Sequence, residues 1–241
     1  MPSRPWLSRY DSGVPFHLDY PPVPVFHFLD DTARLCPERT CIIFKGETHT
    51  YREVALQTDR LAAALLDLGL RKGERVGICM PNCPEFVLAY FAILKAGAVV
   101  VAINPLYTPP EIIHQVNDAG VRMVFCAGSL YERLKTAQPE TGICRVIVTG
   151  IGTPQPEDLI LNDLLNTTSY PQGMNTKEKK ENVVSFVPFV FNSATGPEDI
   201  ALFQYTGGTT GIPKAAVASH RNLVANTLQF KALMSTLEEE E

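Results

Sequence analysis

The residues best suited to chemistry lie near the end of the chain, in a segment that runs from Thr206 to Lys214. Its nine residues include three glycines, three threonines and one lysine. Glycines allow several backbone N–H groups to turn toward one anion, while threonine hydroxyls and a lysine ammonium group add donors and positive charge. The combination predicts a polyphosphate-binding site. Residue types alone leave one alternative open, a glycine-rich hairpin turn with an exposed lysine.

The segment matches neither of two common phosphate-binding patterns. The pattern G-x-x-x-x-G-K-[ST] fails because Pro213 precedes Lys214 and Ala215 follows it. The pattern G-x-G-x-x-G fails because Thr209 stands at its second glycine. Apolar runs at 200–203 and 215–218 predict a strand on each side of the loop, and Ser219 is expected to cap a following helix. A P-loop instead passes from a strand directly into a helix.

Residues 205–214, continued by 219–223, resemble the phosphate-binding signature of the adenylate-forming (AMP-binding) enzyme superfamily. The resemblance is closest to long-chain fatty acyl-CoA synthetases, and it departs at Ala215, where that family usually has glycine. Four upstream segments also resemble the N-terminal region of these synthetases, in the same order. They are residues 73–76, 80–85, 94–98 and 103–108. The resemblance therefore predicts the N-terminal part of a fatty-acid–CoA ligase, in a chain that looks truncated.

The resemblance implies ATP-dependent activation of a carboxylic acid, here a fatty acid, to an acyl-adenylate and then to acyl-CoA. It implies ATP, Mg2+ and coenzyme A as cofactors or co-substrates, and Lys214 and Thr206 as catalytic residues. The phosphate-binding residues that it implies are Thr206, Gly207, Gly208, Thr209, Thr210, Gly211 and Lys214. No metal ligand is predicted here, because the family's magnesium, adenine and lid-lysine motifs would follow residue 241. The chain alone is expected to be inactive.

Two other functions stay open at this point. One is a related enzyme that adenylates an aryl acid or an amino acid. The other is a non-catalytic remnant that binds a nucleotide or serves as an interaction partner. His220, beside Ser219, is expected to cap or pack at the start of a helix, because a lone histidine is weak evidence for a substrate contact.

Composition excludes several classes of protein. The net charge is -5, of which residues 238–241 contribute four glutamates, so no nucleic-acid surface is predicted. Six cysteines without a secretory signal predict reduced thiols and a cytoplasmic protein. The apolar run 86–103 is interrupted by Lys95 and Gly97, which argues against a transmembrane segment. The predicted partners are small-molecule substrates, with peripheral membrane contact and homodimerisation left open.

Strands and helices alternate along the first two thirds of the chain. Strands are predicted at 40–44, 76–80, 98–103, 121–126 and 145–149, and helices at 84–95, 109–119, 131–136 and 159–165. This alternation predicts an α/β fold, a mostly parallel sheet covered by helices on both faces, as in the N-terminal portion of the large domain of an adenylate-forming enzyme. We expect an extended arm at 1–24, a first α/β subdomain at 25–165, a flexible connection at 166–198 and the start of a second subdomain at 199–241.

Overall fold

The structure, a computed structural model, describes residues 5, 9–10, 13–150, 154–167, 195–206 and 213–234. Its helices are α1 (His27–Leu35), α2 (Tyr51–Asp67), α3 (Pro84–Lys95), α4 (Pro109–Ala119), α5 (Tyr131–Ala137), α6 (Leu161–Thr167) and α7 (His220–Met234). Its strands are β1 (Thr40–Phe44), β2 (Glu47–Thr50), β3 (Arg75–Cys79), β4 (Val99–Ala102), β5 (Met123–Ala127), β6 (Arg145–Thr149), β7 (Leu159–Ile160), β8 (Ile200–Thr206) and β9 (Lys214–Ser219).

A sheet of seven strands forms the centre of the fold, in the order β7-β6-β5-β3-β4-β8-β9. All neighbouring strands are parallel except β8 and β9, which form an antiparallel hairpin at one edge. Strands β1 and β2 make a separate antiparallel pair. The predicted α/β class with a mostly parallel sheet is therefore confirmed.

Helices cover both faces of the sheet and bury the central strands on both sides. On one face, alternate strand residues such as Ile78, Val100 and Phe125 pack in a core with residues of α1, α2, α3, α6 and α7. On the other face, residues such as Val101 and Val124 pack in a second core with α4 and α5. Side chains of successive strand residues point to opposite faces, so β3, β4, β5 and β6 each contribute to both cores.

Two helices each begin with a capping box formed by a threonine and a glutamate. The Thr50 hydroxyl accepts the backbone N–H of Glu53, whose carboxylate in turn accepts the Thr50 backbone N–H over 2.8 Å at the start of α2. The spacing of threonine and glutamate three residues apart is typical of such a capping box. Thr108 and Glu111 form a second one at the start of α4, where prolines occupy the first turn. In both boxes the hydrogen bonds from threonine lower the pKa of the glutamate.

Two of the element boundaries that differ from the prediction are explained by strand pairing. Leu159 and Ile160 were predicted to open a helix, but they form strand β7, because they pair with Ile147 and Val148 at the edge of the sheet. The helix α6 begins only at Leu161. The strand predicted at 200–203 continues to Thr206, because β9 supplies hydrogen-bond partners along its whole length. The loop is correspondingly shorter than the sequence indicated.

The predicted division into subdomains stays a prediction. Strand β8 pairs directly with β4, at Val100 with Leu202 and at Ala102 with Gln204, so residues 200–206 extend the sheet formed by the upstream strands. The expected flexible connection falls largely on residues 168–194, which lie outside the described residues. Within the expected N-terminal arm, residues 1–4, 6–8 and 11–12 also lie outside the described residues.

Gly77 in β3 is a position where an added Cβ atom would force neighbouring side chains to shift. A Cβ atom there would lie 2.9 Å from Ile103 Cδ1 and 3.1 Å from Val124 Cγ2. Replacing Gly77 with alanine is expected to destabilise the protein by a net of about 1 kcal/mol, because overpacking outweighs the better strand propensity of alanine. Urea unfolding measures the change, and Gly142→Ala, where the nearest atom is 3.9 Å away, is the control. Equal stability of the two variants would contradict this account.

Candidate phosphate-binding site

The β8–β9 hairpin holds the two ends of the predicted phosphate loop against each other. Thr206, the last residue of β8, is the register partner of Lys214, the first residue of β9. Residues directly opposite each other in an antiparallel pair project their side chains to the same face. Both residues are exposed. The hairpin thus brings a hydroxyl and an ammonium group to one face at the mouth of the loop.

Five of the predicted site residues lie outside the described residues: Gly207, Gly208, Thr209, Thr210 and Gly211. Their predicted role as phosphate ligands stays a prediction, as do the roles of Thr206 and Lys214. The positions of those two side chains are the part of the site that the structure describes.

The parallel pairing of β8 with β4 decides at which edge of the sheet the loop begins. Thr206 ends a strand that runs in the same direction as β3, β4, β5 and β6, so the loop leaves from the carboxyl edge shared by these strands. Ligands of open α/β sheets bind outside the carboxyl ends of the strands. The location of the loop therefore agrees with a binding role.

Tyr205 fixes the end of β8 in the core, next to the loop. Its side chain is buried beside Ala215 and Phe203, and its hydroxyl donates a hydrogen bond to the Asp118 carboxylate of α4. Burial and this hydrogen bond raise the pKa of Tyr205. Because neighbouring strand residues alternate in direction, an inward Tyr205 directs Thr206 toward the opposite face. Sequence reasoning missed this contact, since 87 residues separate its partners.

The helix that follows the hairpin begins as the sequence predicted. The Ser219 hydroxyl accepts the backbone N–H of Asn222, and the Asn222 side chain accepts the backbone N–H of Ser219 over 2.9 Å. His220, the first residue of α7, is 1% exposed. Its Nδ1 accepts the backbone N–H of Val25 over 3.3 Å, and its ring meets the edge of Phe26 at 5.8 Å. His220 therefore packs against the N-terminal segment, as expected.

Burial lowers the pKa of His220 to about 4, against a smaller opposing effect of the Asp199 carboxylate. The neutral imidazole is the form that can accept the Val25 N–H, so the shift and the hydrogen bond agree. Asp199 itself is paired with Lys72 over 2.8 Å, and this bond lowers the pKa of its carboxyl group. These contacts fix the start of α7 and thereby the end of β9.

Two further observations limit what the described residues can do. They contain no group of three His, Cys, Asp or Glu side chains arranged to hold a metal ion. In the same part of the chain, every helix is too short or too polar to cross a bilayer. The upstream segments that resembled the synthetases form strand ends, turns and helix starts around β3, β4 and α4, in agreement with a structural role.

Comparison with known proteins identifies the family. The sequence matches the model of the AMP-binding enzyme family over residues 29–241, so the chain belongs to this family. It is 32% identical to the long-chain-fatty-acid–CoA ligase of Bacillus subtilis, over 98% of this chain and 43% of that protein. It is likewise 32% identical to the ligase of the same name from Yersinia pestis, over 96% of this chain and 43% of that protein.

Solved structures show the same relationship. A long-chain-fatty-acid-CoA ligase from Archaeoglobus fulgidus superposes with a TM-score of 0.74 at 31% identity, over 93% of this chain and 42% of that one. The anthranilate CoA ligase AuaEII, solved in complex with anthranoyl-AMP, superposes with a TM-score of 0.70 at 24% identity, over 85% of this chain and 36% of that one. The second likeness bears on the fold alone. The chain spans less than half the length of these relatives.

Proposed function

We propose that this chain supplies the phosphate-binding part of an enzyme that uses ATP to activate a fatty acid as an acyl-adenylate and then as acyl-CoA. The observation that carries the proposal is the direct pairing of Thr206 with Lys214 at the carboxyl edge of the sheet. Membership of the AMP-binding family supports the use of ATP. The names of the curated relatives, which are long-chain-fatty-acid–CoA ligases, support the choice of acid.

The proposed chemistry is attack of a carboxylate oxygen on the α-phosphorus of ATP, with pyrophosphate as the leaving group. Lys214 would place its positive charge beside the β- and γ-phosphates, and the Thr206 hydroxyl would donate to a phosphate oxygen. Such fixed donors stabilise the charge that builds up on a leaving pyrophosphate. The neighbouring Tyr205–Asp118 contact would hold the strand end in place while the loop binds.

The proposal includes two further small molecules, Mg2+ and coenzyme A, and assigns neither of them to a described residue. Mg2+, bound together with ATP, would neutralise phosphate charge, and we assign none of its ligands to a described residue. Coenzyme A would capture the acyl group of the acyl-adenylate through its thiol, with AMP as the leaving group. Glycines 207, 208 and 211 and threonines 209 and 210 are the proposed backbone and hydroxyl donors of the loop itself.

Replacing Lys214 with glutamine is expected to weaken binding of MgATP about tenfold, because one charge-assisted contact to phosphate is lost. Isothermal titration calorimetry with the 241-residue chain measures the dissociation constant. Lys231 is exposed on α7, away from the hairpin. The charge-matched control Lys231→Gln should bind MgATP as the unmodified chain does. Equal affinities of the two variants would show that Lys214 does not contact the nucleotide.

The complete reaction needs a separate assay. The chain would be fused to the remaining part of the Bacillus subtilis relative and tested for ATP–pyrophosphate exchange with a panel of long-chain fatty acids, aryl acids and amino acids. The proposal expects exchange that depends on a long-chain fatty acid. Exchange that depends only on an aryl or amino acid would change the substrate class. A folded fusion that binds MgATP and catalyses no exchange with any acid would overturn the proposed reaction.

A further inference from the structure

A positively charged pocket lies at the amino edge of the sheet, opposite the carboxyl edge at which β8 ends. It has a volume of about 330 Å3, and four of its lining residues are arginines: Arg71, Arg75, Arg122 and Arg145. Glu74 is its single acidic lining residue. We refer to this feature as the arginine pocket. Its volume falls within the range of small-ligand sites, about 300–1,000 Å3.

The parallel sheet is what brings these arginines together. Arg75 is the first residue of β3, Arg122 immediately precedes β5, and Arg145 is the first residue of β6. In the register of the three adjacent strands, Val76 lies beside Met123 and Met123 beside Arg145. Parallel strands begin at a common edge, so residues far apart in sequence form one row of positive charge. Arg71, in the turn after α2, adds the fourth guanidinium group.

The hydrogen bonds of the pocket leave most of this charge uncompensated. Arg75 donates from Nε to the carbonyl oxygen of Ala119 over 2.9 Å, which fixes the guanidinium group without neutralising it. The carboxylate of Glu74 accepts the backbone N–H of Arg71 over 2.8 Å. Among the described residues, no side chain forms a hydrogen bond or ion pair with the guanidinium groups of Arg71, Arg122 or Arg145.

The floor of the pocket is apolar. Leu70 and Met123 are 7% and 6% exposed, and both line the cavity beneath the arginines. A pocket with an apolar floor and convergent charged groups at its rim is the usual form of a small-ligand site. Four guanidinium groups against one carboxylate favour an anion with more than one negative charge. Guanidinium groups match the oxygens of phosphate with paired hydrogen bonds.

We propose that the arginine pocket binds a phosphate-bearing ligand at the amino edge of the sheet, separately from the nucleotide loop. Arg122 and Arg145 would contact the phosphate oxygens, because they are exposed and reach the pocket from adjacent strands. Arg75 would act as a fixed donor. The phosphate group could belong to a soluble compound or to a lipid headgroup, and the chemistry at the pocket is the same for both.

Titration of the 241-residue chain with inorganic pyrophosphate, followed by calorimetry, tests the proposal. Pyrophosphate should occupy two sites, one of which weakens about tenfold in Arg122→Gln and further in Arg122→Gln/Arg145→Gln, since each variant loses charge-assisted contacts. The matched control is Arg39→Gln. Arg39 is also exposed and also immediately precedes a strand, but it lies outside the pocket. Circular dichroism confirms that each variant is folded.

The outcomes separate this site from the proposed nucleotide site. Binding that is lost in the arginine variants and kept in Lys214→Gln supports the arginine pocket even if the proposed ligase function fails. Binding that is unchanged in the double variant, or reduced equally in Arg39→Gln, overturns it. Co-sedimentation with phosphatidylcholine vesicles that contain phosphatidic acid identifies the source of the phosphate. Vesicle binding that requires Arg122 indicates a lipid headgroup, and pyrophosphate binding without vesicle binding indicates a soluble compound.

Discussion

Replacing Lys95 with methionine is expected to lower the free energy of unfolding by about 3–5 kcal/mol, because the change leaves buried carboxylates without their counter-ion. Lys95, at the end of α3, is 1% exposed and lies in the core between three helices. Its ammonium group donates to Asp59 of α2 over 2.6 Å and to Asp30 of α1. Burial raises the pKa of the Asp30 carboxyl group. Urea unfolding at pH 7 measures the loss.

A double variant shows whether the charge or the packing matters. Lys95→Met/Asp59→Leu removes the charges of Lys95 and Asp59 and leaves only the Asp30 carboxylate without a counter-ion, so part of the lost stability should return. Asp59 is 3% exposed, and the apolar leucine therefore suits its surroundings. If Lys95→Met unfolded within about 1 kcal/mol of the unmodified chain, or if the double variant were no more stable than Lys95→Met, a buried ion cluster would not be the reason for this lysine.

The sequence predicted the order of elements but not the contacts between distant ones. Periodicity and glycine positions located β3, α3, β4 and α4 within a few residues, because these signals are local. The interaction of Lys95 with Asp30 and Asp59 joins positions 65 and 36 residues apart, and no local pattern encodes it. In the sequence alone, Lys95 served only as evidence against a transmembrane segment at 86–103.

The same limit applies to the candidate site. Residue types between Thr206 and Lys214 were sufficient to predict a phosphate loop, and the strand–loop–strand–helix order was predicted from the flanking apolar residues and Ser219. The pairing of Thr206 with Lys214 and the Tyr205–Asp118 hydrogen bond depend on β8 taking its place beside β4. That neighbour relation follows from the topology of the whole sheet. The arginine pocket likewise requires knowledge of which strands are adjacent.

Lowering the pH from 7.5 to 5 is expected to remove about 2 kcal/mol of stability through His220 alone. The pKa of His220 in the folded chain is about 4, whereas an unfolded histidine has a pKa of about 6.5. Between these values the unfolded chain binds a proton that the folded chain excludes. The contribution of His220 is therefore complete above about pH 6.5 and is lost as the pH falls toward about 4.

The difference between two pH profiles isolates this effect from the carboxylates. Glu53, Glu111 and Asp199 have lowered pKa values, so they also favour the folded state less in acid. They are present in both the unmodified chain and His220→Gln, and the pH dependence of the variant should be smaller by about 2 kcal/mol over this range. Equal pH profiles would contradict the account. Nuclear magnetic resonance of the His220 ring in the unmodified chain provides a second test. A titration midpoint near 6.5 would show that the contacts with Val25 and Phe26 do not hold the imidazole neutral.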